Sequence, residues 1–299
     1  MEYIDKSVNL QAGNDIDRSY LKASYSQEEH VFIPPLADAY DGINRAPYRH
    51  ELVSLMLAEQ KRHCCYCMRR LDKDDVAIEH MVPRNFDEGQ DSHEEYTYYA
   101  SKSEKIRNNV ELAQESPIDT PAAVDTAVKM PHTIAFGNLI ASCKGILVEK
   151  SKKNWVCNTP RGNTRILPLP LMPECAELIT YDRDGTIRAL GSEMVKDVQE
   201  TIKVLCLNIE TLKEVRKIWA GVIENKVPIA DIEHFESVED KDEDAINRCK
   251  TLLFTALKKD VSENISNVKS KFEKYYSIGF YRKLLSEYNW FSSYYATHQ

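Results

Sequence analysis

The segment KRHCCYCMRRL, residues 61–71, places Cys64 and Cys67 at C-x-x-C spacing between basic side chains. Two thiolates at this spacing form half of a tetrahedral zinc site. The same spacing occurs in redox pairs, which open a helix after a strand, and in ordinary protein cores. Here a helix is expected before the cysteines, from about Pro47 to Gln60, and this order favours the zinc interpretation.

A tetrahedral site with two thiolates needs two more ligands, and Cys143 and Cys157 are the natural candidates because each closes an ordered segment. The charged residues 144–156 separate them, and we expect this segment to form a hairpin that keeps its ends close. Four thiolates leave no open coordination position, so the zinc would be structural. The other cysteines are expected to pack without binding metal: Cys65, Cys175, Cys206 and Cys249.

Composition describes an ordinary protein of 299 residues, with 42% hydrophobic and 29% charged side chains. No apolar run approaches the roughly 20 residues that span a bilayer, and the polar N-terminus does not resemble a secretory signal. A cytoplasmic location is expected, where thiols stay reduced. The net charge of −8 gives no general attraction to nucleic acid. Local basic clusters flank the cysteines: Lys61, Arg62, Arg69, Arg70, Lys150, Lys152, Lys153, Arg161 and Arg165.

Three motifs lie between and around the cysteine pairs: IEHMVPR at 78–84, FGNLIASC at 136–143 and CNTPRGN at 157–163. Phosphodiester hydrolysis needs a nucleophilic water and a cation that neutralises developing charge. A neutral imidazole can activate the water, since its ordinary pKa is about 6.5. His80 is the candidate base. Because neighbours on a strand point to opposite sides, Glu79 and His80 need a bend or separate tasks.

The order of C-x-Y-C, E-H-x-x-P-R, N-L-x-x-S-C and C-N-x-x-R-G resembles the HNH endonuclease family, with its ββα-metal core, over about residues 61–170. The resemblance implies His80 as general base and Asn138 as the residue that holds the loop carrying it. It also implies Glu79 and Asn158 as oxygen ligands of a catalytic magnesium or manganese ion. In this family the second cysteine pair is usually C-x-x-C, so the spacing here differs. Two arginines are placed to bind substrate phosphate: Arg84 and Arg161.

The expected fold class is α+β, with a small zinc-stapled ββα-metal core embedded in a mostly helical protein. Three regions are expected. Residues 1–60 form an N-terminal segment and helix, and residues 61–190 form the nuclease domain. Residues 191–299 form a helical, partner-binding domain. The acidic, weakly periodic stretch at 85–131 is interpreted as an insertion or lid within the nuclease domain, outside its core.

Segments outside the motifs narrow the resemblance. MEYIDKS, PLPLMPECAELITYDRDGTIRA and LCLNIETLKEVRK resemble the HNH nuclease subunit of Septu-type bacterial anti-phage systems, whose relatives also act as retron effectors. The resemblance implies an ABC- or SMC-like ATPase partner and, in a retron, a reverse transcriptase with its RNA–DNA product. The substrate would be DNA or a tRNA-like RNA, and no membrane is involved. Two alternatives remain open: a non-catalytic zinc-stapled adaptor that binds the ATPase, and a redox switch at Cys64 and Cys67.

Overall fold

The computed structural model describes residues 1–145, 155–191, 193–237, 239, 242–256 and 285–297. They fall into two compact units. The first comprises residues 1–67, 71–180 and 189–207, and the second comprises residues 68–70, 181–188 and 208–299. The first unit thus groups the N-terminal segment with the motifs. Helices dominate both units, and the described strands form four two-stranded sheets.

The N-terminal part of the first unit is helical. Its elements are α1 (Leu10–Ser24), the antiparallel strands β1 (Tyr25–Ser26) and β2 (Val31–Phe32), α2 (Tyr40–Ile43) and α3 (Tyr48–Glu59). Helix α3 follows the predicted range, with Pro47 at its N-cap. It buries Leu52 and Met56, which lie four residues apart on one face. The helix therefore ends one residue before the segment that carries the first cysteine pair.

The central sheet pairs β3 (Val76–His80) with β6 (Leu139–Cys143) in antiparallel register. Val76 lies opposite Cys143, and His80 lies opposite Leu139. Every residue of β6 is buried, as expected for a strand covered on both faces. The sheet therefore carries a cysteine at one end and the candidate base at the other.

Residues 85–131 contribute to the core, whereas their sequence predicted an insertion or lid outside it. They form α4 (Ser92–Lys102), α5 (Glu104–Asn109), β4 (Val110–Glu111), α6 (Pro121–Thr126) and β5 (Met130–Pro131), with β4 and β5 parallel. Their buried side chains include Tyr99, Ile106, Val110, Val124 and Met130. Each helix is so short that it buries only one or two large side chains, which leaves little periodicity to detect.

After the second motif region the first unit continues with α7 (Asn158–Arg161), α8 (Cys175–Leu178) and α9 (Val195–Val204). Strands β7 (Ile179–Tyr181) and β8 (Ile187–Ala189) form a two-stranded hairpin. The second unit contains α10 (Glu210–Glu224), α11 (Ile229–Ser237), α12 (Glu243–Ala256) and α13 (Trp290–Thr297). Among the described helices, none combines the length and the apolar character needed to cross a bilayer.

Candidate functional site

Four buried cysteines, Cys64, Cys67, Cys143 and Cys157, form one cluster in which all sulfur atoms lie within 4.8 Å of one another. The Sγ atoms of Cys64 and Cys157 are 3.8 Å apart, and those of Cys67 and Cys143 are 3.9 Å apart. A tetrahedral site with metal–sulfur bonds of about 2.3 Å has sulfur–sulfur edges of about 3.8 Å. The four cysteines selected from sequence therefore lie at the spacing of a four-thiolate metal site.

Backbone and amide hydrogen bonds attach the first cysteine pair to β6. The Gln60 side chain bonds both the N–H and the C=O of Ala141, at 2.7 and 2.8 Å. Cys65 N donates to the same carbonyl at 3.0 Å, and Cys143 N donates to Cys64 Sγ at 3.3 Å. Cys64 Sγ thus accepts a backbone hydrogen bond, and the same sulfur could also bind a metal ion. This hydrogen bond fixes the position of the first cysteine pair relative to Cys143.

The segment between Cys143 and Cys157 brings its ends together, which compensates for its length. Val156 N donates to Gly145 O at 2.8 Å. Gly145 has a φ of +73°, and an added Cβ would lie 2.4 Å from Val156 O, so only glycine fits. Residues 146–154, where a hairpin was expected, lie outside the described residues.

The four thiols cannot all ionise without a cation. Burial acts to raise the pKa of Cys64, but contacts from the neighbouring thiols outweigh it and hold that pKa well below its ordinary range. The pKa values of Cys143 and Cys157 lie well above their ordinary range; for Cys157 the largest cause is burial. Ionisation of one thiol thus opposes ionisation of its neighbours, and a bound cation would stabilise several thiolates at once.

The remaining cysteines lie outside the cluster. Burial raises the pKa of Cys65 well above its ordinary range and that of Cys175 to about 11, so both are poor nucleophiles. Cys249 is also buried, and Cys206 is partly exposed. The burial of Cys65, Cys175 and Cys249 agrees with their expected role as packing residues, whereas Cys206 is only partly buried.

His80 lies at the end of β3 with one ring nitrogen bonded. Its Nε2 is 2.8 Å from Thr133 O, and because a carbonyl only accepts, Nε2 carries the proton. The lone pair of the neutral ring is then on Nδ1. The Tyr40 ring packs edge-on against the imidazole, with centroids 4.5 Å apart. Burial lowers the pKa of His80 to about 3, so the imidazole is neutral at pH 7.

The loop after His80 is held by Asn138. Its Oδ1 accepts from Val82 N at 2.7 Å, and its Nδ2 donates to Val82 O at 3.0 Å and to His132 O at 2.7 Å. Its own carbonyl accepts from Met81 N at 3.0 Å. Asn138 is fully buried, so each bond replaces one that water would otherwise supply. This is the position at which the resemblance implies a loop-holding asparagine.

Arg161 lies inside the protein, not on a surface where it could meet substrate. Its side chain is 1% exposed. Nη1 bonds Glu79 Oε1 and donates to His80 O at 2.8 Å, while Nη2 donates to Met81 O at 2.7 Å and to Tyr99 Oη at 3.2 Å. The phosphate role assigned from sequence does not fit this geometry, because the guanidinium is occupied by its own chain. Arg161 joins α7 to the end of β3.

Glu79 and His80 have separate surroundings, as alternation along a strand requires. Glu79 Oε1 takes the Arg161 bond and accepts from Tyr66 Oη at 3.1 Å, while no described residue bonds Oε2. Burial raises the pKa of Glu79, and Arg161 opposes that rise. Asn158 Oδ1, one helical turn before Arg161, is buried and has no hydrogen-bond partner among the described residues. A buried acceptor without a donor is what a cation ligand looks like before the cation is bound.

Two residues of the site were not identified from sequence. His132 lies four residues before the FGNLIASC motif, and its Nδ1 accepts from Ala113 N at 3.0 Å while its Nε2 donates to Arg84 O at 3.3 Å. Tyr40, which packs against His80, lies in the N-terminal segment outside every motif. The hydrogen bonds of His132 go to backbone atoms, which are the same in every residue type, so the sequence cannot indicate them. The ring contact between Tyr40 and His80 likewise has no sequence motif.

The motifs remain the only basis for a family assignment. No family model matches the chain, and no curated protein or solved structure matches it either.

Proposed function

We propose that the chain is a metal-dependent endonuclease that hydrolyses phosphodiester bonds with His80 as general base. One observation carries the proposal: a neutral imidazole, with its lone pair on Nδ1, ends a strand whose opposite end pairs with a metal-site cysteine. The loop that follows is held by buried residues, Asn138 and Arg161. A base held in a fixed orientation by a rigid sheet and a cysteine cluster can position a water molecule for attack.

The cysteine cluster is proposed to bind structural zinc. The sulfur–sulfur distances suit a tetrahedral ion, and thiolates are ligands that zinc prefers. With four protein ligands the ion has no position for water, so its contribution is to folding. It would fix Cys64 and Cys67 against Cys143 at the end of β6 and so hold the central sheet.

The pKa of His80 is low although the residue is partly exposed. Burial is the largest cause of the lowering. Contact with water and an anionic phosphate would raise that pKa toward the ordinary 6.5, where a base is effective near neutral pH. The bond from Nε2–H to Thr133 O keeps the tautomer that presents Nδ1 as the acceptor.

A magnesium or manganese ion is proposed at Glu79 and Asn158. Asn158 Oδ1 has no hydrogen-bond donor among the described residues, and an amide oxygen is a suitable ligand for a hard cation. Glu79 could bind the same ion through Oε2, because only its Oε1 bonds Arg161 and Tyr66. When bound, such an ion would neutralise charge on the phosphate and on the leaving oxygen. Arg161 would limit how far the Glu79 carboxylate can move.

The proposed setting is a cytoplasmic anti-phage complex. The resemblance to Septu-type subunits supports an ABC- or SMC-like ATPase partner and, in a retron, a reverse transcriptase with its RNA–DNA product. A net charge of −8 favours delivery of substrate by a partner over unaided binding. The substrate is DNA or a tRNA-like RNA, since phosphodiester chemistry acts on the backbone of either.

The deciding experiment compares His80→Ala with His93→Ala in the purified complex with Mg²⁺ or Mn²⁺. His93 is a matched control because its side chain is 70% exposed and it belongs to none of the three motifs. Cutting should disappear in the His80 variant and persist in the control, with zinc content unchanged in both by elemental analysis. Equal cutting by the two variants would contradict the proposal.

A non-catalytic zinc-stapled adaptor is the second candidate. Glu79, the proposed acidic ligand, already forms a buried ion pair with Arg161, and this favours a purely structural role for that residue. The double variant His80→Ala/Asn158→Ala separates the two candidates. Full anti-phage activity of that variant would support the adaptor, and loss of activity with an intact complex would support the nuclease.

A further inference from the structure

Residues 36–41 of the N-terminal segment, called the strap below, contact the candidate site from outside the motifs. Thr133 Oγ1 donates to Leu36 O at 2.8 Å, and Thr133 O is the acceptor that orients His80. Tyr40, at the start of α2, lies edge-on against the His80 ring. The strap therefore contacts the candidate base directly and also contacts the residue that fixes its tautomer.

The strap also contacts the accessible arginine of the site. Asp41 Oδ1 pairs with Arg84 Nη1 at 2.6 Å, and the Arg84 guanidinium lies over the Tyr40 ring, 5.3 Å from its centroid. The Arg84 side chain is 34% exposed and that of Asp41 is 68% exposed, so the pair is solvated. One phenol ring thus contacts the imidazole of His80 in a T-shaped arrangement and also lies beneath the Arg84 guanidinium.

We propose that Tyr40 and Asp41 belong to the substrate site, and that a backbone phosphate of the nucleic acid replaces the Asp41 carboxylate on Arg84, above the Tyr40 ring. The inference rests on the proposed nuclease function and adds two specificity-determining residues to it. Asp41 acts as an internal competitor for the phosphate, and Tyr40 keeps the phosphate-binding guanidinium beside the candidate base.

Chemistry favours this exchange at Arg84. A carboxylate and a phosphate present similar pairs of oxygens to a guanidinium fork, so one can replace the other. A solvent-exposed ion pair contributes little to stability, so its rupture costs little. Arg161, in contrast, is buried with its donors bound to carbonyls and to Glu79. Arg84 is therefore the arginine of the two that a phosphate can reach.

The test measures binding of a fluorescent single-stranded oligonucleotide by anisotropy, without added Mg²⁺ or Mn²⁺ so that nothing is cut. Asp41→Asn is compared with Asp38→Asn, a matched control in the same strap that removes an equal charge from an exposed position. Asp41→Asn should tighten binding about two- to fivefold relative to the control, the change expected when an exposed competing ion pair is removed. The gain should vanish in Asp41→Asn/Arg84→Gln.

Equal binding by Asp41→Asn and Asp38→Asn would overturn the inference, as would a gain that survives Arg84→Gln. The result is separable from the nuclease test. If the wild-type complex cuts but the Asp41 variant binds like its control, the nuclease proposal stands and this inference fails. If tightening is seen but no metal supports cutting, phosphate docking stands and the catalytic proposal fails.

Discussion

The Asn138 side chain bonds both backbone polar groups of Val82, as a neighbouring strand would. Its Oδ1 accepts from Val82 N at 2.7 Å, and its Nδ2 donates to Val82 O at 3.0 Å. The side chain therefore extends the pairing of β3 and β6 by one step beyond the last strand residues, His80 and Leu139. The loop that follows the candidate base is ordered because an amide side chain completes its hydrogen bonds.

Asn138→Ala should lower the free energy of unfolding by about 3 kcal/mol, because buried backbone groups of Val82 and His132 lose their partners. Asn138→Asp keeps the acceptor but removes both Nδ2 donations, so it should also be destabilising. Chemical denaturation measures both effects. Asn108→Ala, at an exposed helical position, is the control and should change stability by less than about 0.5 kcal/mol. Equal losses in Asn138→Ala and the control would contradict the role of the amide.

If the cysteine cluster binds the proposed zinc ion, removing that ion should destabilise the first unit strongly. Cys64→Ser weakens one of four ligands, and the expected loss is at least about 4 kcal/mol, in the range typical when a structural metal is lost. Wild-type protein treated with a strong chelator should show the same fall in melting temperature. Cys206→Ser is the control, since Cys206 is partly exposed and lies outside the cluster. A stable Cys64→Ser protein that still melts like the wild type would rule out a structural metal.

The contrast between the two arginines predicts opposite behaviour. Arg161→Gln should lower the melting temperature, because breaking a buried ion pair costs about 3 to 5 kcal/mol. Arg84→Gln should hardly affect folding, but it should reduce by about one the slope of log binding constant against log salt concentration for an oligonucleotide. Thermal melts and binding at several salt concentrations measure both. A reduced salt slope in folded Arg161→Gln, with none in Arg84→Gln, would reverse the assignment.

The cysteine cluster was predictable from sequence because its members are few, chemically distinctive and separated by recognisable strand patterns. Cys64, Cys67, Cys143 and Cys157 come together as expected, and α3 lies within its expected range. Arg161 was misplaced because a sequence shows that a cation is present but not which way it points. Its carbonyl partners, His80 O and Met81 O, carry no signal in residue type.

The N-terminal contacts to the site were not predictable for a different reason. Tyr40 reaches His80 across forty residues of sequence through a ring contact, and rings pack against many partners equally well. Asn208 illustrates the same limit in the second unit. Asn208 lies two residues before α10, near the position where an asparagine often caps a helix, but its amide bonds both backbone groups of Ile187. Local propensity favours a cap there, and a distant backbone segment took the side chain instead.

We expect the protein to lose stability in acid because His132 is buried in its neutral form. Its ring is fully buried, Nδ1 accepts from Ala113 N and Nε2 donates to Arg84 O, so protonation would set two donors against each other at Nδ1. Burial lowers its pKa to about 4, below the unfolded value of about 6.5. The unfolded chain then binds more protons between these values, so the stabilising contribution is present above pH 6.5 and is lost as pH falls toward 4. The amount is about 3 kcal/mol.

His132→Gln isolates this contribution, because a glutamine amide can still donate to Arg84 O but has no group that titrates. The variant should be less stable than the wild type at pH 7.5, and the difference should shrink by about 3 kcal/mol at pH 4. Urea denaturation at intervals of half a pH unit gives the two curves. His50→Gln, at an exposed helical position, controls for the loss of an ordinary histidine and should run parallel to the wild type. If the His132→Gln curve were also parallel, the imidazole would titrate alike in the folded and unfolded chains, and its buried pair of backbone bonds could not hold it neutral.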